Sequence, residues 1–195
     1  MPKTTDQEKW DQRYTHSTSQ TDFTPALVLS QNVHLLPKTG VALDLACGTG
    51  ANALLLAKHG LSTQAWDFSE VALEVLSTQT HRSNLHITIE VRDVVLHPPD
   101  AECFDVMVVS RFLDRSIIER LIHALRPNGL IYYQTFIKEK DLSVGFSNAQ
   151  FLLAENELLS LFSDLKIIVY REEARVGNLA AGFRNEAMIV AQRVD

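Results

Sequence analysis

Short apolar runs alternate with amphipathic stretches along this chain. Residues 41–45, Val-Ala-Leu-Asp-Leu, form an apolar run of strand length after the turn signal Lys38-Thr39-Gly40. Residues 51–59 carry Leu54, Leu55, Leu56 and Ala57 and stop at Lys58-His59-Gly60. Cations in a last turn followed by glycine predict a helix end. The alternation continues, with strands predicted at 62–67, 86–91, 104–109 and 130–136, and two final strands at 165–171 and 186–192. A helix opens at Ser69, a good N-cap, with Val71, Ala72, Val75 and Leu76 on one face. Another is capped by Asp114, carries the stripe Ile117, Ile118, Leu121, Ile122 and Leu125, and stops at Pro127-Asn128-Gly129. Shorter helices are predicted at 26–36, where Pro25 suits a first turn, and at 155–162.

Strands separated by helices pair in parallel through right-handed crossovers. The last two strands have no long helix between them, and 172–185 holds Gly177, Asn178 and Gly182. That pair therefore reads as an antiparallel hairpin at the sheet end. The expected fold is α/β and doubly wound, Rossmann-like. Its mostly parallel seven-stranded sheet has an antiparallel C-terminal strand and helices on both faces. A single domain over 1–195 is expected, with an N-terminal helical segment at 1–36 and the core at 41–195.

Composition narrows the function. With 46% hydrophobic and 22% charged residues, the chain reads as an ordinary soluble globular protein. A net charge of -6 without a Lys/Arg cluster argues against a nucleic-acid partner. There is no apolar run of membrane-spanning length, and residues 1–20 are polar, so no membrane association and a cytoplasmic location are expected. Cys47 and Cys103 make no disulfide framework, and the seven His show no metal-ligand spacing.

The chemistry concentrates in Asp44-Leu45-Ala46-Cys47-Gly48-Thr49-Gly50-Ala51-Asn52. Gly48 and Gly50 let the backbone bend and let a ligand approach closely at the carboxyl end of a strand. Gly48 to Ala53 fits a loose G-x-G-x-x-A pattern, so a dinucleotide site is one reading. Asp44 favours another, because a carboxylate repels pyrophosphate and suits the ammonium and sulfonium of S-adenosylmethionine. A turn-capping role is the alternative for Asp44. Asp67 ends the second strand, where it can accept from ribose hydroxyls, with Phe68 beside it to pack on sugar or base and Ser69 opening the helix. Asp93 can accept from an adenine amine, with the Val94 amide facing a ring nitrogen.

These residues resemble the motifs of class I S-adenosylmethionine-dependent methyltransferases. The glycine motif is residues 43–50, the ribose acid Asp67 and the adenine acid Asp93. Phe104 to Ser110 matches the fourth-strand segment, and Arg126-Pro127-Asn128-Gly129-Leu130 the family's R-P-G-G-x turn, with Asn128 replacing the first Gly. Within that family the chain is similar to small bacterial tellurite-resistance-type methyltransferases, through its short size and Trp10-Asp11-Gln12-Arg13-Tyr14 at the front. The resemblance implies S-adenosyl-L-methionine as cofactor and S-adenosyl-L-homocysteine as product. It also implies that Tyr14 and Arg13 close over the methionine end, and that Asp44, Ala46, Cys47, Gly48, Gly50, Asn52, Asp67, Phe68, Ser69, Asp93, Val94 and Ser110 line the cofactor. No Asn/Asp-Pro-Pro-Tyr/Phe follows strand 4, where Ser110-Arg111-Phe112-Leu113 stands instead, so the resemblance does not extend to adenine or glutamine methylases.

Methyl transfer from a sulfonium is an in-line displacement, which the protein serves by alignment and water exclusion. No general base is evident after strands 4 and 5, which tilts the expectation toward a soft or anionic small acceptor such as a thiol or chalcogen oxyanion. Arg111 is expected to position it, with a local ion pair to Asp114 or Glu119 as the alternative. Phe112, Tyr133, Phe136, Arg171, Arg175 and Arg184 are further substrate-side candidates, the last two flanking a possible lid. An NAD(P)-binding oxidoreductase and a non-catalytic cofactor-binding subunit remain as competing functions.

Overall fold

The computed structural model describes residues 7, 11, 12, 14, 15, 23–145 and 147–194. Its strands are β1 (Val41–Leu45), β2 (Ser62–Asp67), β3 (Ile87–Val91), β4 (Phe104–Ser110), β5 (Leu125–Phe136), β6 (Lys166–Glu172) and β7 (Glu186–Gln192). The principal helices are α1 (Leu27–Ser30), α2 (Ala51–His59), α3 (Glu70–Ser83), α4 (Ile118–Ala124) and α5 (Glu157–Leu161). All strands join one sheet in the order β3-β2-β1-β4-β5-β7-β6. Every pairing from β3 across to β5 is parallel, and β7 runs antiparallel to both β5 and β6. The expected sheet is therefore present. The strand order reverses between β1 and β4, which opens the ligand crevice of such sheets at their carboxyl ends.

Alternation of side chains across the sheet builds two layers. Leu43, Leu45, Met107, Val109, Ile131 and Tyr133 face α4 and α5 through Leu121, Leu158 and Phe162. Ala42, Val106, Val108, Tyr132 and Val190 face α1 and α2 through Val28, Leu29 and Leu56. Ala65 packs with Leu54, Leu73 and Leu76 of α2 and α3. Helices thus cover both faces. Among the described residues, no helix is long and apolar enough to cross a membrane.

Three local expectations need correction. The helix predicted over 26–36 divides into α1 and a 3-10 turn at Val33–Leu35. The helix capped by Asp114 begins as a 3-10 turn at Arg115–Ile117 and ends at Ala124. The next residue, Leu125, already pairs with Phe104, and residues 126–129 loop out before Leu130 pairs with Val106. Long-range bonds hold that excursion: Arg126 Nη1 to Asp105 at 2.8 Å and Arg193 N to Gly129 O at 3.0 Å.

Candidate cofactor and acceptor site

The turn after β1 is tied by two buried carboxylates. Asp44 is fully buried on β1, and its Oδ2 accepts from Ala53 N at 2.9 Å. It thereby caps α2, whose N-cap residue Gly50 has φ +79 and no side chain to do so. Asn52 Nδ2 lies between Asp44 Oδ1 at 3.4 Å and Ser110 Oγ at 3.1 Å. Its Oδ1 accepts from Ala26 N at 2.9 Å. Burial pushes Asp44 up to about 8, against the Ala53 and Asn52 hydrogen bonds, with Asp67 adding to the rise.

Asp67 closes the turn from β2. Its Oδ2 accepts from Gly48 N at 2.7 Å, and its Oδ1 from Ser69 N at 2.9 Å. Burial raises its pKa, opposed by these amides, and Asp11 raises it further. The Cys47 thiol is raised by burial and by Asp67 and Asp44, so Cys47 is a small packed residue of the turn rather than a nucleophile. Ala46 holds the left-handed conformation at φ +54.

Described residues near the N-terminus meet this turn and the loop after β2. Asp11 Oδ1 accepts from Ser69 Oγ at 2.6 Å, and Gln7 Nε2 donates to Phe68 O at 3.1 Å. A Cβ added at Gly48 would lie 2.7 Å from Tyr14 Oη. Tyr14 therefore stands over the glycine. Arg13 and Trp10 lie outside the described residues.

Beyond β4 the second half of the site begins. Arg111 has φ +55, its amide donates to Gln134 O at 2.8 Å, and its Nε donates to Glu186 Oε1 at 3.0 Å. A non-glycine residue in this conformation is held there by its surroundings. The guanidinium carbon lies 6.0 Å from the Phe136 ring centroid. Gln134 Nε2 donates to Glu186 Oε2, while Gln134 Oε1 accepts from Val28 N at 2.7 Å.

This arrangement ties a glycine turn and two strand-end acids to a braced arginine across the switch between β1 and β4. The chain matches the family model described as tellurite resistance protein TehB over residues 6–190. It belongs to the TehB family. A ubiquinone biosynthesis O-methyltransferase of Coxiella burnetii is 26% identical over 98 residues, which cover 48% of this chain and 42% of the relative. The chain thus spans under half the length of the curated relative it matches. The crystal structure of TehB from Haemophilus influenzae superposes with a TM-score of 0.70 at 22% identity, covering 94% of this chain and 67% of that one. An S-adenosylmethionine-dependent methyltransferase from Methanosarcina mazei superposes with a TM-score of 0.66 at 20% identity, covering 84% and 97%. These likenesses show that this TehB-family chain has the S-adenosylmethionine-dependent methyltransferase fold.

Within the TehB-family chain, most of the expected residues converge on one end of the sheet. Asp93 follows β3, where its Oδ1 accepts from Val95 N at 3.0 Å and Leu96 N at 3.1 Å, ordering the loop that presents Val94. Phe68 is half-buried beside Asp67. Phe136 ends β5 against Arg111. Tyr133 is fully buried between sheet and α5, and its hydroxyl donates to Phe112 O at 2.7 Å. It therefore supports Phe112 from the core. Arg171 Nε donates to Glu173 Oε1 at 2.7 Å. Arg184 is occupied as a clip on its own loop, bonded to the carbonyls of Glu173, Ala174, Asn178 and Ala181. Arg175 is exposed on that loop and lowers the Asp141 pKa less than the Ser143 hydrogen bonds do.

Arg111 pairs with neither Asp114 nor Glu119 but with Glu186. Glu186, Gln134, Asp11 and Gln7 went unrecognised in the sequence. A signal existed for the first two, since each is a buried polar residue in an apolar strand.

Proposed function

We propose that this chain is a cytoplasmic S-adenosylmethionine-dependent methyltransferase whose acceptor is a small, soft or anionic nucleophile such as a thiolate or chalcogen oxyanion. The observation that carries the reading is the pairing of a carboxylate-tied glycine turn with Arg111 directly across the β1–β4 switch. The residues present fit this cofactor. The Asp67 carboxylate accepts from the amides of Gly48 and Ser69, with the Phe68 amide acting on it as well, and its remaining acceptor capacity suits a ribose hydroxyl. The amides of Gly48, Gly50 and Ala53 already bond to Asp67, the Cys47 carbonyl and Asp44. A pyrophosphate wants such amides free and no carboxylate beside them, so a dinucleotide fits poorly.

When bound, S-adenosylmethionine supplies an electrophilic methyl group on a sulfonium. The chain's own residues supply position. Asp67 and Asp93 hold the nucleoside end, Tyr14 covers Gly48 and excludes water, and Arg111 draws an anionic acceptor to the end of β4. A soft or already ionised nucleophile needs no protein base. The unpaired Cys47 and Cys103 suit a reducing compartment.

Calorimetry with S-adenosylhomocysteine and with NAD tests the cofactor. Micromolar-scale binding of the first and none of the second is expected. Labelled-methyl transfer to tellurite, selenite or a small thiol tests the acceptor. NAD binding without S-adenosylhomocysteine binding overturns the reading, and tight cofactor binding without transfer to any of these acceptors removes the acceptor class.

A further inference from the structure

Glu186 opens β7 in register with Phe136, the last residue of β5. Because β7 runs antiparallel, its first residue comes to the same sheet end as the last residues of β4 and β5. That end carries Arg111. The Glu186 residue is 6% exposed, and both carboxylate oxygens are engaged: Oε1 by Arg111 Nε at 3.0 Å and Oε2 by Gln134 Nε2. Gln134 cannot turn its amide round, because its Oε1 is committed to Val28 N at 2.7 Å. The carboxylate is thus held from behind by an amide that α1 itself orients.

Arg111 presents the opposite picture. Its side chain is 66% exposed, yet its Nε is bonded to a buried partner. Among the described residues, its two Nη groups have no hydrogen-bond partner. A free arginine of this exposure loses much rotamer freedom when it grips a ligand. One already braced through Nε presents its remaining donors as a fixed fork matched to an oxyanion.

We propose that Glu186 is a positioning residue, which fixes Arg111 through Nε so that both Nη groups face an anionic methyl acceptor. The proposal rests on the methyltransferase reading above. Glu186 is not a general base: both of its oxygens accept from protein donors, and taking a proton would leave Arg111 unpaired beside it. The acceptor is therefore negative on arrival, or ionises in the field of Arg111.

The test uses the full chain with S-adenosylhomocysteine calorimetry and steady-state methylation of tellurite and selenite. It compares wild type, Glu186→Ala, Glu186→Gln, Arg111→Ala and the double variant Arg111→Ala with Glu186→Ala. Cofactor affinity in the Glu186 variants is expected to stay within about twofold of wild type, since Glu186 bonds to Arg111 and Gln134 and not to the residues of the glycine turn. Acceptor KM is expected to rise about tenfold in Glu186→Ala, less in Glu186→Gln, with kcat falling less than KM rises. The double variant should be no worse than Arg111→Ala alone, because Glu186 acts only through that side chain. Additive losses, or an unmoved acceptor KM in both Glu186 variants, overturn the proposal while leaving cofactor binding intact. Failure of wild type to bind S-adenosylhomocysteine instead removes the reading beneath it, and failure to methylate either oxyanion removes the anionic acceptor that Glu186 is argued to serve. Glu186→Gln keeps side-chain volume and an acceptor oxygen, so it carries the comparison if Glu186→Ala does not fold.

Discussion

Asp67 reaches back 19 residues to hold the amide of Gly48, at 2.7 Å, while its other oxygen holds Ser69 N. One carboxylate so joins the glycine turn after β1 to the start of α3. It fixes the turn's shape and leaves lone pairs for a ligand. Replacing Asp67 by Ala should weaken S-adenosylhomocysteine binding by about 1–3 kcal/mol, the range for lost charged hydrogen bonds. Folding stability should fall by a similar amount, because two buried amides lose their acceptor. Calorimetry and denaturant unfolding measure the two separately. Unchanged affinity in a folded variant would mean that Asp67 does not meet the ligand.

Asp44 carries a pH dependence whose sign follows from its burial. Its folded pKa is about 8 against an ordinary value of 3.8. Between these values the folded state binds more protons than the unfolded one, so stability from this group is full below about 4 and falls as pH rises to about 8. Asp44→Asn keeps an acceptor for Ala53 N and removes the titration. The variant should therefore gain on wild type by at least ~1 kcal/mol between pH 5 and pH 8. Melts across that window decide it: parallel curves for the two proteins would show that Asp44 keeps an ordinary pKa.

Gly50 and Gly177 share a left-handed backbone, with φ +79 and +74, but not their surroundings. A Cβ at Gly50 would lie 2.6 Å from Leu76 Cδ2 and 2.8 Å from its Cγ, whereas a Cβ at Gly177 meets nothing within 4 Å. Gly177→Ala should cost about 1 kcal/mol, the strain of the conformation alone. Gly50→Ala should cost that strain plus overpacking of about 1–3 kcal/mol against α3. Urea unfolding of both variants measures the difference, and equal losses would show that Leu76 yields without cost.

The parts legible in the sequence share one property: their cause is local. β1, β2 and β7 stand at the expected residues because each begins one or two residues after a turn residue with positive φ, Gly40, Gly60 and Asn185 respectively. The positions of Asp44, Asp67 and Asp93 near the ends of β1, β2 and β3 were legible because local sequence sets those strand limits. The departures arise where a distant partner decides. The apolar stripe from Ile117 reads as helix through Leu125, but Leu125 leaves the helix to pair with Phe104. Arg111 has nearby acids in sequence, yet antiparallel β7 brings it Glu186 from 75 residues away. Gln134 and Glu186 are polar residues in buried strands, and the pairing of β5 with β7 is what sets them beside Arg111.

The loop over 173–185 illustrates the same point and yields the last prediction. Its glycines suggest a hinged lid, but its side chains close it on itself. Arg184 donates to Ala181 O at 2.7 Å, Asn178 O at 2.9 Å, Ala174 O at 3.1 Å and Glu173 O at 3.2 Å. Glu173 in turn accepts from Phe183 N at 3.0 Å and pairs with Arg171. Arg175 is exposed on this frame and, among the described residues, makes no hydrogen bond to it. The two arginines should therefore separate in experiment. Arg184→Ala should speed amide exchange at Val176, Ala181 and Phe183 by about tenfold or more, and leave the amides of β1 and β4 protected. Any loss of transfer should follow from that loosening. Arg175→Ala should leave exchange in the loop unchanged, and should raise acceptor KM only where Arg175 itself meets the acceptor. Unaltered exchange in Arg184→Ala would show that the Glu173 contacts alone hold the loop, and would return Arg184 to the set of side chains free to bind an acceptor.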